Sequence, residues 1–175
     1  MKKKILQAFL MLCLAMFIAT SCKKENNTQK LSSEQLLVTT TNAKAETPHF
    51  NIEVVLRGEG NSFGLIKFRQ DNDPAKIITL DTWVRDLEPN HLYLLQRAVD
   101  MNIDGNCTGT NWLTLGKGLT PQSILTDANG TGREELWRNV SAVSSGSKFD
   151  IHFRVLDATS RAVVLSSDCY QYVVR

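Results

Sequence analysis

Histidine is scarce in this chain: His49, His91 and His152 are the only three among 175 residues, and they lie far apart. Scattered imidazoles leave out the closely spaced histidine pairs on which zinc and copper centres are usually built. An excess of one charge is lacking too. Twenty basic residues face 18 acidic ones, with no concentrated basic stripe, which argues against a nucleic-acid-binding protein. No apolar run reaches the ~20 residues that a membrane-spanning helix needs. There is no P-loop, no Rossmann fingerprint and no G-x-S-x-G elbow. The adjacent acids Glu134 and Glu135 would face opposite sides of a strand and cannot pair within it. No catalytic constellation is visible, so the sequence predicts a protein that is not an enzyme. Helical periodicity and internal repeats are also missing.

What is present starts with the N-terminus, "MKKKILQAFLMLCLAMFIATSC". Lys2, Lys3 and Lys4 precede an apolar run over residues 5–18, and the small residues Ala19, Thr20 and Ser21 lead to Cys22. This is the layout of a cleaved signal peptide, expected over residues 1–21. A small residue directly before a cysteine at the end of such a run resembles the lipobox of bacterial lipoproteins. It departs from the common pattern by carrying Ala19 where leucine is usual. The resemblance implies a diacylglycerol on the Cys22 thiol and an acyl chain, such as palmitate, on the new amine. At about 0.8 kcal/mol per buried CH₂, such an anchor holds a protein at a membrane without a transmembrane helix.

Residues 22–47 are rich in Lys, Asn, Gln, Ser, Thr and Glu and contain no aromatic residue. Such a composition buries too little apolar surface to offset the entropy of ordering, which predicts a flexible tether. Lys23 and Lys24 read as solubilising charge or as contacts for anionic headgroups. Without the three signal lysines, 17 basic residues face 18 acidic ones, so the mature protein is close to neutral. Residues 48–175 are the right length for one domain.

In that domain the apolar period is two. Phe50, Ile52, Val54 and Leu56 share one face. Phe149, Ile151, Phe153 and Val155 share another, with Lys148, Asp150, His152 and Arg154 opposite. Alternation of this kind marks strands buried on one side, and it leaves His152 on a solvated face. Further strands are expected at 63–69, 77–85, 92–99, 111–115, 123–126, 134–139 and 162–174. They are separated by "RGEGNS", "QDNDPA", "LEPNH", "NIDGN", "DANGTG" and "SSGS", whose Gly, Asn, Asp and Pro suit turns. Asn129-Gly130 is a hairpin signal, because both residues tolerate positive φ. The fold class expected is all-β, an antiparallel β-sandwich of about eight or nine strands. Cys107 and Cys169, the two cysteines outside the signal, are expected to form a disulfide in an exported domain.

Two candidate sites follow. In "DMNIDGN", Asp100, Asn102, Asp104 and Gly105 fill positions one, three, five and six of a calcium loop. Position twelve is Asn111 rather than glutamate, and the flanks read as strands. A polar turn is the alternative to a calcium site over residues 100–106. The second candidate is a binding surface of Trp83, Arg85, Trp137 and Arg133, whose strands have mixed faces that leave indole and guanidinium groups accessible; packing in the core or over a sheet edge is the alternative role for the indoles.

Several segments are similar to copper/zinc superoxide-dismutase-like sandwiches. These are "SFGLIKFRQ", the strand–turn–strand "VRDLEPNHLYLL", and the hairpin "LTDANGTG". That family's metal ligands include an H-x-H pair in the strand after the turn, where this chain has only His91, so the resemblance carries a fold and no metal site. The "SCKK" start and "TDANG" hairpin also resemble lipoproteins of the Bacteroidetes, which implies an outer-membrane address. The function expected is a lipid-anchored envelope protein with a non-catalytic domain that binds or scaffolds an envelope protein or a glycan. Alternatives are a calcium-stabilised binding module and a hydrolase whose acids converge only in three dimensions.

Overall fold

A computed structural model of the chain describes residues 50–175. The expected signal peptide, the lipidation cysteine Cys22, the tether over residues 22–47 and His49 lie outside the described residues. The twelve strands are β1 (Asn51–Arg57), β2 (Phe63–Gln70), β3 (Ile77–Arg85), β4 (Leu92–Asp100), β5 (Leu113–Thr114), β6 (Gly116–Lys117), β7 (Thr120–Pro121), β8 (Ser123–Leu125), β9 (Gly132–Asn139), β10 (Lys148–Asp157), β11 (Val163–Ser167) and β12 (Tyr170–Val173). No helix occurs among the described residues.

The long strands form where the sequence alternates. In β3, Ile78, Leu80, Thr82 and Val84 are buried while their neighbours reach the surface. β1, β2, β3 and β9 pair antiparallel in that order, which lines up Val54 with Ile66 and Leu80 with Leu136. On the other side β4 pairs with β10 from Asp100↔Asp150 to Tyr93↔Asp157. The inner faces of the two groups meet in one core, where Val54, Leu56, Ile66, Leu80, Leu95, Leu136, Phe153 and Val155 are essentially solvent-free. Fully burying a side chain of this size contributes about 1.5–3 kcal/mol.

The all-β expectation holds, but the sandwich of eight or nine antiparallel strands is replaced by one twelve-stranded mixed sheet that curls into a nearly closed barrel. Three local features cause the change. At one corner Leu56↔Ser167 and Arg57↔Ser166 carry hydrogen bonding from β1 to β11, where a sandwich would have two free edges. At the opposite corner β8 pairs with β4, and its extension bridges Thr126 to Gly132 at the start of β9. Between them the short strands β5 and β6 run from β4 to β9, and the β6–β9 contact is parallel. Of the two-residue strands, β5 lies inside the strand expected at 111–115, while β6 and β7 are too short to show a period.

The expected strand at 162–174 is split. Opposite β10, the ladder breaks between β11 and β12, and the Ser167 hydroxyl accepts the Phe153 N–H where a backbone partner is missing. The Cys107–Cys169 disulfide lies within this break, with 5.4 Å between the two Cα atoms. In the Asn129-Gly130 turn only Gly130 has positive φ, at 72°. The Asp127 carboxylate accepts the N–H groups of Asn129 and Thr131, which organises the turn around an aspartate rather than around two left-handed residues.

Candidate functional site

The outer face of β1, β2, β3 and β9 carries the tryptophan and arginine residues expected to form a binding surface. Trp83 stands opposite Leu65 on β2 and Arg133 on β9. It meets Phe63 edge-to-face at 6.1 Å, and the Arg85 guanidinium lies 5.2 Å from the Phe63 ring and 6.0 Å from Trp83. Beside this row, the β1–β2 turn forms an open cleft lined by Arg57, Asn61, Ser62, Phe63 and Arg85. Gly60 makes that turn with φ 60°, and Ser62 ties it to β3 by donating to the Asp86 carbonyl.

Two of the expected residues have other commitments. Arg133 grips Asp81 with two hydrogen bonds of 2.8 Å. The guanidinium hydrogen bonds hold the Asp81 carboxyl below its ordinary pKa. Trp137 is 38% exposed but sits opposite Thr79, four residues along β3 from Trp83. At about 3.4 Å per residue that is roughly 14 Å along the sheet. Its ring packs on Gly118, where an added Cβ would lie 2.8 Å from the indole. Trp83, Arg85 and Arg133 therefore share one patch, and Trp137 is separate. Phe63 was not expected as a member. Its place in the alternating "FGLIKF" run was the available signal.

The outer face of β4 and β10 is built differently. The segment from Met101 to Thr114 folds over it, so the expected solvation of His152 is overturned. His152 bonds the Gly109 carbonyl through Nε2 and packs on Trp112, with ring centroids 4.5 Å apart. The Arg154 guanidinium lies 3.9 Å from the Trp112 ring centroid and donates to Gln96. Desolvation lowers the Arg154 pKa. Beneath the same cover, Ala98 is fully buried.

The candidate calcium residues belong to this cover. Asp100 Oδ2 accepts the N–H groups of Thr108 and Gly109. Asp104 accepts from Asn106 N–H and from the Asn102 amide. A residue outside the motif joins them: Asp150, paired directly with Asp100 across the strands. It is fully buried, and its Oδ2 accepts the N–H groups of Asp104 and Gly105 at 3.0 and 2.7 Å.

A third cluster was not expected as a group. His91 Nε2 lies 2.7 Å from Asp157, and Nδ1 lies 3.9 Å from Glu88. Backbone hydrogen bonds from Ser160 and Thr159, together with His91, hold the Asp157 carboxyl below its usual pKa against the opposing effect of desolvation. The register Asp157↔Tyr93 brings the end of β10 to the turn that carries His91, a proximity that the separate segments do not announce. This arrangement can hold a proton, or offer one nitrogen and two carboxylates to a metal ion.

Compared with protein-family models, curated proteins and solved structures, the chain matches none.

Proposed function

We propose that this protein is a bacterial lipoprotein, anchored at Cys22 in the cell envelope, in the outer membrane. Its β-domain binds an envelope glycan through the outer face of β1–β3 and does not transform it. The observation that carries the reading is the row Phe63–Trp83–Arg85 beside the Arg57, Asn61 and Ser62 cleft. Aromatic faces suit the apolar faces of sugar rings, while guanidinium, amide and hydroxyl groups suit their hydroxyl and acidic substituents. The lipobox-like segment and the polar tether support the envelope address. An envelope protein is the other partner chemistry that a Trp/Arg patch suits.

Binding of the purified protein to peptidoglycan fragments and to lipopolysaccharide core oligosaccharide tests the reading. Trp83→Ala should weaken binding by about tenfold or more, as at an aromatic hot spot. Trp112→Ala should leave it unchanged when measured well below its melting temperature. Retained glycan binding in Trp83→Ala, or none in the wild type, rejects the glycan site. For the anchor, radiolabelled palmitate should enter the wild-type chain and not Cys22→Ala.

A second reading, hydrolysis by acids that meet only in the folded chain, is favoured by the Glu88–His91–Asp157 cluster. There Asp157 would orient His91 as a base. Turnover of an ester or glycoside that is lost in His91→Ala would establish it.

A further inference from the structure

The overlying segment meets the strands beneath it at two carboxylates that share one face of the sheet. Asp100 and Asp150 are direct cross-strand partners. Residues so paired have Cβ atoms about 4.5–5.5 Å apart, and like charges there repel. None of the ion pairs among the described residues involves Asp100, Asp104 or Asp150. Asp150 is fully buried, and while its Oδ2 takes two loop N–H groups, its Oδ1 is buried with no partner. Leaving an ionised carboxylate oxygen buried and unpaired is costly.

The hydrogen bonds are divided in a telling way. Asp100 uses Oδ2 for Thr108 and Gly109, and Asp150 uses Oδ2 for Asp104 and Gly105. In each carboxylate the second oxygen remains. Asn102 donates its amide nitrogen to Asp104, which leaves its carbonyl oxygen as an acceptor. Gly109 is the residue that lets the loop come this close, since a Cβ there would lie 2.8 Å from Asp100 Oδ1. Ligating carboxylates are commonly fixed in this manner, with one oxygen on backbone N–H groups and the other on the ion.

We propose that Asp100, Asp150 and Asn102 form a calcium site in which the loop closes over the outer face of β4 and β10. The donors are all oxygen. The Cys107 and Cys169 sulfurs are joined in the disulfide, and His152 Nε2 is held by the Gly109 carbonyl. An all-oxygen set selects a hard cation, and calcium takes irregular sets completed by water more readily than magnesium does. Asp150 supplies the charge that the "DMNIDG" motif lacks at its distal end. It comes from a neighbouring strand instead of from position twelve of the loop.

The test uses the full-length oxidised protein in detergent. Melting is followed in excess chelator, in 1 mM calcium and in 1 mM magnesium, and terbium luminescence sensitised by tryptophan is recorded in parallel. Calcium should raise the melting temperature by about 5 °C or more if its concentration is near a hundred times Kd, with a smaller shift for magnesium. Terbium emission should appear and be displaced by calcium. Both effects should vanish in Asp150→Asn and in Asp100→Asn, and persist in Asp127→Asn, whose carboxylate serves only its own turn. Should Asp150→Asn fail to fold, the wild-type and Asp100→Asn measurements decide alone. No calcium shift and no terbium emission in the wild type would overturn the site. So would effects that survive Asp100→Asn, which would place the ion elsewhere.

Discussion

The two outer faces of this domain use the same chemistry to opposite ends. On β4 and β10, Trp112 lies between Arg154 and His152, and the loop that carries it is pinned by a disulfide. On β2 and β3, Trp83 and Phe63 have an arginine beside them and are only partly buried, with no loop of the described residues pinned over them as Met101–Thr114 is over β4 and β10. An aromatic–guanidinium group stabilises a fold when the chain supplies its own cover, and is available to a ligand when it does not. Both groups lie against one continuous sheet, so cover is the feature that separates them.

The largest expected effect strikes the covered face. Cys107 and Cys169 are 62 residues apart, and a cross-link over such a loop contributes about 4 kcal/mol in the chain-entropy model. The Cys107→Ser/Cys169→Ser protein should lose most of that in urea unfolding, and Trp112 fluorescence should shift towards that of a solvated indole. Trp112→Ala comes next, with an expected loss of about 2–3 kcal/mol in the same assay. Trp83→Ala on the bare face should lose about 1 kcal/mol or less. Equal losses at the two tryptophans would dissolve the contrast.

Smaller effects come from the ion pairs. The Asp157 carboxyl is lowered in the folded state, so its stabilising contribution is complete above the unfolded value of about 4 and is lost as pH falls through the folded value. The melting-temperature gap between wild type and Asp157→Asn should therefore be widest near neutrality and narrow in acid. A gap that widened in acid would reverse the sign and refute the assignment. The smallest effect is at Asp81. In Arg133→Ala its carboxyl should titrate at higher pH by carbon-detected NMR, with little change in melting, because the partner is exposed.

Most of the architecture was legible wherever a strand was long enough to alternate. β1, β2, β3, β4, β9 and β10 fall where period-two runs place them, and the face shared by Trp83, Arg85 and Arg133 follows from that same alternation. The barrel closure was not legible, because it depends on pairings between strands distant in sequence, β1 with β11 and β8 with β4, and on the two-residue strand β6, which is too short to alternate. The site was half visible. Asp100, Asn102 and Asp104 stand close in sequence, whereas Asp150 joins them only through the register of β4 against β10. His152 was misjudged for a related reason: alternation tells which face a residue occupies but not whether a loop returns to cover it. The Glu88–His91–Asp157 cluster needed that register as well.

The seam between β1 and β11 has a kinetic consequence. Leu56 pairs with Ser167, 111 positions later, so the ring cannot close on any shorter length of chain. Pairings this distant in sequence place β-folds among the slower folders, on millisecond-to-second scales. Without the β11 pairing, β1 is an unpaired edge of the sheet. The ring is therefore complete only when the first strand of the domain and one of its last two have met.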